Sequence, residues 1–222
     1  STSLTHSLPN AMHAHSLYWK NPCPHREKID LSFFGRIKMR LIYFIVRILL
    51  GFRHQTKIIS MVRRPQERDV SMFFQDLPYW LVKYQKDNES LEKNDADDYL
   101  NMVFEKVFDF SYSENWFDKE LKRFTGIDVF NESFCQDDGV KILRNNKYEV
   151  LIIYYEFLCT HPVLTESAIS EFVGRDVKLR KENISEKKWY SSIYKEFKSK
   201  LVTRKKSGIY KDNKVIRNFY EG

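Results

Sequence analysis

The sequence predicts an α/β domain, with helices packed on both faces of a parallel sheet. Three observations predict it. Thr56–Val62 (TKIISMV) is a short, nearly continuous apolar run, the pattern of a strand buried on both faces. Residues 140–158 (VKILRNNKYEVLIIYYEFL) read as two more strands around an Asn145-Asn146-Lys147 turn. Between and after these runs the apolar period becomes that of helices. Strands separated by helices imply right-handed crossovers within one sheet. With 222 residues, 42% hydrophobic and 15% aromatic, the chain can bury one sizeable core, so residues 1–222 read as a single domain.

The elements follow in order. Ser1 to Asn10 is polar, reads as a helical turn ending before Pro9, and lacks the basic-then-apolar order of a signal peptide. Residues 11–19 (AMHAHSLYW) alternate as a strand does, and NPCPHREK is a proline-broken loop. Phe33 to Leu50 is helical in period: Phe33, Ile37, Leu41, Phe44, Ile45, Ile48 and Leu49 share one side. Arg36, Arg40, Tyr43 and Arg47 form a narrow basic stripe beside it, and Gly51 is placed to cap its end. The most apolar stretch, Leu41 to Phe52, is broken by Arg47 and far short of the roughly 20 residues a spanning helix needs.

After the strand 56–62, Pro65 can open a helix whose core face is Val70, Phe73, Phe74 and Leu77. Helices are expected over 95–108 and 114–124, the second ended by Gly126. The apolar second strand of the hairpin should join the central sheet, with Glu156 at its end in a local pairing. A helix over 165–173 closed by Gly174, a polar loop over 178–185 and a long helix over 186–202 come next. Trp189, Ile193, Phe197 and Leu201 are expected on the core side of that last helix, and the tail KDNKVIRNFYEG adds a turn or two.

The net charge of +7 points to an anionic partner: nucleic acid, membrane, or a phosphorylated or sulfated small molecule. No nucleic-acid-binding motif is visible. The three cysteines, Cys23, Cys135 and Cys159, are far apart and have no CxxC spacing. That argues against structural zinc and fits a reducing, cytoplasmic compartment.

Ligands of open α/β sheets bind outside the carboxyl ends of the strands. Arg63 stands at that end of the strand 56–62. Arg64, Arg68 and Ser71 follow at helical spacing on one stripe. Guanidinium groups and a hydroxyl near a helix start suit a phosphate; a solvated basic face with an Arg–Glu67 pair is the plainer alternative. His13 and His15 alternate onto one strand face. No third ligand accompanies them, so a metal site is not expected.

Arg63-x-Pro65 followed by Ser71 resembles the 3′-phosphate-binding segment of sulfotransferases that use 3′-phosphoadenosine 5′-phosphosulfate (PAPS). The resemblance implies a P-loop-kinase-like three-layer fold, with Arg63 and Ser71 holding the 3′-phosphate. Arg64 departs from it, since these enzymes usually carry Asn or Asp there. Ser1-Thr2-Ser3 looks like the end of the loop that wraps the 5′-phosphosulfate. The resemblance then implies a strand and a Lys-x-Gly segment upstream of Ser1. His13-Ala14-His15 is similar to a segment of uronosyl 2-O-sulfotransferases in which a histidine is the base; His15 is expected in that role with His13 supporting it, or the reverse. Arg180, Lys181 and Lys188 stand where sulfotransferases carry a basic loop that closes over the nucleotide.

Residues 183–191 (NISEKKWYS), with GIDVFNESF and GVKILRNNKYEVLIIYYEFL before them, look like a bacterial family of capsular polysaccharide synthesis proteins that carries an Asn-Lys-Trp-Tyr-Ser signature. Here Lys187-Lys188 replaces Asn-Lys. The two resemblances together imply a PAPS-dependent sulfotransferase acting on a carbohydrate or glycolipid acceptor in the cytoplasm. The Arg36/Arg40/Arg47 stripe has three readings of its own: contact with acidic groups of the acceptor, peripheral contact with an anionic membrane, or pairing with acids of this fold. Three rivals remain: a catalytically degenerate scaffold, a P-loop phosphotransferase and a non-catalytic basic protein. The phosphotransferase would need a Walker lysine and an acidic magnesium ligand at a strand end, and the strand 56–62 ends in arginines instead.

Overall fold

A computed structural model describes residues 7–8, 11, 37–38, 41, 44–45, 48, 55–87, 96–179, 188–203 and 210–221. The described residues form a mixed α/β fold around a sheet of order β1-β3-β2. Strand β1 (Thr56–Val62) runs parallel to β3 (Tyr148–Tyr154), with Thr56 opposite Tyr148 and Val62 opposite Tyr154. Strand β2 (Val140–Arg144) pairs with β3 antiparallel. The sheet is therefore mixed, where a parallel one was expected. The physical reason is local: three residues between β2 and β3 can close a hairpin but cannot make the crossover a parallel pair needs. Asn145 shapes that turn, its side-chain oxygen accepting from the N–H groups of Lys147 (3.0 Å) and Tyr148 (2.8 Å).

Strand β3 is buried on both faces, which explains its unbroken apolar sequence. Val150, Ile152 and Tyr154 point into one cluster with Val62, Phe117, Leu121 and Phe219. Leu151 and Ile153 point into another with Ile169, Phe172 and Val177. Burying each such side chain contributes about 1.5–3 kcal/mol.

Helix α1 (Pro65–Gln75) begins with proline at its first turn, as its missing N–H allows. Its Val70, Phe73 and Phe74 are buried with Leu77, the face read from the sequence. They pack on α2 (Leu77–Asp87), α3 (Ala96–Val107) and α8 (Ser191–Thr203) in an aromatic cluster, with Phe197 stacked on Phe73 at 6.0 Å. Helix α4 (Tyr112–Asn115) continues through a π-helical stretch, Trp116–Lys122, into α5 (Arg123–Thr125). Gly126 ends it at φ 79°, and Gly174 ends α7 (Pro162–Val173) at φ 75°; both are left-handed caps that favour glycine. Helix α9 (Lys214–Tyr220) closes the chain, with the Asn213 side chain capping it by accepting from the Ile216 N–H.

Two readings need correction. The segment YYEFL leaves the strand at Tyr154 and forms helix α6 (Tyr155–Thr160), so Glu156 lies in a helix and not at a strand end. Helix α8 starts at Ser191 and turns Tyr190, Tyr194 and Phe197 to the core, while Trp189 is 70% exposed and Ile193 40%. Both sets satisfy helical spacing with Phe197. The tyrosines win because their rings meet Phe74 at 5.8 and 5.6 Å.

Candidate functional site

Parallel pairing brings the ends of β1 and β3 to the same edge of the sheet. Helices α1 and α6 both leave from that edge, at Arg63-Arg64 and Tyr155-Glu156. Helix α9 reaches it with Tyr220 and α8 with Lys198. This is the edge at which open sheets bind ligands.

The Arg63 guanidinium lies over the Tyr155 ring, 4.6 Å from its centroid. Its Nη2 donates to Glu67 Oε2 over a long 3.4 Å. Its Nε is buried and has no hydrogen-bond partner among the described residues. Glu67 is shared with Lys198, whose Nζ lies 3.1 Å from Oε1. Burial raises the Glu67 pKa, but the hydrogen bonds and charges of Lys198 and Arg63 outweigh that and hold it below the usual carboxylate value. The Arg–Glu67 pair foreseen as the plainer alternative is thus present, though Arg63 itself is only 20% exposed. Ser71 is half-buried on α1, one helical turn beyond Glu67.

Arg64 is used differently. Its backbone N–H donates to Glu156 Oε1 at 3.0 Å, and its guanidinium lies over the Tyr220 ring at 4.8 Å. Tyr220 donates its hydroxyl to Glu156 Oε2 at 2.9 Å. Burial and then the Glu156 charge push the Tyr220 pKa far up, so it stays protonated and remains a donor. The Glu156 carboxylate thereby ties the start of α1 to the end of α9.

Arg68 turns inward. It forks onto Asp69, with Nε at 2.9 Å from Oδ1 and Nη2 on the same oxygen, and lies over the Tyr112 ring at 5.1 Å. Tyr210 donates to the other oxygen at 3.0 Å. Asp69 is fully buried, and burial pushes its pKa up to about 6 against the opposing pull of Arg68 and Tyr210. The shared stripe expected for Arg64, Arg68 and Ser71 is therefore split: Arg64 meets Glu156 and Tyr220, and Arg68 meets its neighbour Asp69 and the Tyr112 ring.

Lys188 does not join this group. Helices α1 and α8 pack antiparallel, with Tyr190 against Phe74 and Lys198 against Glu67. The seven steps from Ser191 to Lys198 cover about 10 Å of helix, and Lys188 stands in the turn beyond them. Lys198, which the sequence reading passed over, is the α8 cation at the strand edge. Tyr155, Glu156, Tyr220, Asp69 and Tyr210 were also missed. Ser1, Thr2, Ser3, His13, His15, Arg180 and Lys181 lie outside the described residues, as do Arg36, Arg40 and Arg47.

Fold and edge together define a mixed α/β protein with an arginine-lined parallel strand end. The family described as "Putative capsular polysaccharide synthesis protein", labelled NKWYS, matches residues 88–222, and the chain belongs to it. That supports a part in making capsular polysaccharide. No curated protein and no solved structure matches the chain.

Proposed function

We propose that the chain binds PAPS at the C-terminal edge of β1 and transfers its sulfuryl group to a hydroxyl of a carbohydrate in a capsular or other surface polysaccharide. Arg63 carries the proposal. Its side chain is pinned by the Tyr155 ring and one long contact to Glu67, while a buried Nε donor has no partner among the described residues. A buried donor of this kind costs about 1–3 kcal/mol until something accepts from it. A terminal phosphate is such an acceptor, and Ser71, one turn beyond Glu67 on α1, adds a hydroxyl.

When bound, the nucleotide supplies a sulfuryl group on a phosphate leaving group. The chain's own residues then have four tasks. Arg63 and Ser71 hold the 3′-phosphate, which distinguishes the donor from ATP. Ser1, Thr2 and Ser3 hold the 5′-phosphosulfate. His15, supported by His13, takes the proton from the acceptor hydroxyl as it attacks. Arg180 and Lys181 close over the nucleotide and add positive charge, which suits a group whose charge is spread in the transition state.

Calorimetry of the full chain with adenosine 3′,5′-bisphosphate tests this reading. Saturable binding is expected below millimolar concentration, with adenosine 5′-monophosphate weaker by about tenfold or more. No binding at millimolar ligand, or equal binding of the two nucleotides, overturns it. A second reading, a sulfotransferase-like scaffold without turnover, draws on Arg64 and Arg68 being engaged by internal partners. The two part at His15→Ala, which should slow a working enzyme by about 10²–10⁴-fold.

A further inference from the structure

The described positions between 37 and 48 are all helical, and every one is exposed. Ile37 is 46% exposed, Leu41 57%, Phe44 61%, Ile45 46% and Ile48 42%. They follow each other at i, i+4, i+7, i+8 and i+11, so they share one face about 100° wide. Five of the ten exposed large apolar side chains among the described residues sit on this face. Isolated exposed apolar residues are ordinary, but a contiguous helical stripe marks a surface that something covers.

The charge around the stripe says what. From Leu31 to Gln66 the sequence has eight lysines and arginines and no Asp or Glu. By helical period Arg36, Arg40 and Arg47 fall along one edge of the apolar face, and Lys38, which is exposed, falls along the other. We infer that this face lies on an anionic lipid surface, with the apolar stripe in the headgroup–acyl boundary and the cations on lipid phosphates. The inference does not depend on nucleotide binding.

Other occupants fit less well. A second copy docked by a two-fold axis would bring the same cations against themselves, with no acid in the segment to pair them. An acidic polysaccharide would meet the cations but leave Ile37, Leu41, Ile45 and Ile48 in water. The helical period from Phe33 to Leu50 would cover about 27 Å but carries Arg36, Lys38, Arg40 and Arg47, charges that are costly in hydrocarbon, so the segment is inferred to lie along the surface and not to cross it. Among the described residues no helix is long and apolar enough to span.

Flotation of the full chain with vesicles tests this. It should float with mixed phosphatidylglycerol–phosphatidylcholine vesicles, stay behind with pure phosphatidylcholine, and release partly in high salt. The double variant Phe44→Glu/Ile48→Glu should lose bound protein by about tenfold or more. Phe44→Ala, which is mild at so exposed a position, should act in the same direction by a smaller factor. Val163→Glu, at an apolar site 71% exposed outside this segment, should change nothing. The inference is overturned if the wild type ignores anionic vesicles, or if the Phe44 variants bind as it does. A wild-type dimer in sedimentation that Phe44→Glu/Ile48→Glu turns into a monomer, with no vesicle binding by either, points to a second copy and also overturns it.

Discussion

Arg68 and Arg63 stand five residues apart at the start of one helix, and their surroundings are opposite. Arg68 forks onto an aspartate with no exposure, whose second oxygen accepts from Tyr210. Both oxygens of the aspartate are thus engaged. Arg63 meets the Tyr155 ring and makes a 3.4 Å contact to Glu67, itself 35% exposed and shared with Lys198, and among the described residues its buried Nε has no partner. The same side chain is a structural tie where the acid is buried and local, and is proposed as a site for an added anion where the acid is partly exposed and divided.

The largest effect should come from opening the closed cluster. Arg68→Ala leaves Asp69 buried without its counterion and should cost about 3–5 kcal/mol in urea unfolding. A loss below about 1 kcal/mol would show the two clusters to be alike.

The acids should also part in their pH dependence. Asp69 is raised in the fold, so its contribution is full below its unfolded value near 3.8 and is lost as pH rises through about 6. Glu67 is lowered, so its contribution is present above 4.5 and is lost as pH falls through its folded value. Thermal melts should therefore show Asp69→Asn removing a decline of the order of 2 kcal/mol between pH 4 and 6. Glu67→Gln should leave that decline in place and reduce the loss below pH 4.5.

Tyr220→Phe removes one hydroxyl from Glu156 and keeps the ring beneath Arg64. It should cost about 1 kcal/mol, read by denaturant midpoint. Lys198→Ala should do least to stability, under about 1 kcal/mol, because its side chain is 35% exposed and screened.

The local features were legible. The apolar run 56–62, the Asn145 turn, Pro65 and the two capping glycines each act within a few residues, and strand β1, the hairpin, α1 and the helix ends follow from them. The misses came from longer range. YYEFL is aromatic and apolar enough for strand or helix, and its switch to helix at Tyr155 puts Glu156 onto Arg64, 92 residues away in sequence. Tyr210 meets Asp69 across 141 residues. Nothing near Arg64 or Asp69 announces those distant partners, so an even stripe of arginines was the natural reading. Arg63 was placed at the sheet edge because a strand end and a proline flank it. Lys198 was not, since one lysine among many on a helix carries no local mark.

The central claim is that the open arginine serves one particular phosphate. The direct measurement is calorimetry of wild type and Arg63→Ala, each with adenosine 3′,5′-bisphosphate and with adenosine 5′-monophosphate. Removing the side chain should weaken the bisphosphate by about 10–100-fold and leave the monophosphate unchanged, as a pairwise coupling requires. Equal losses for both nucleotides, or none for either, would contradict the account.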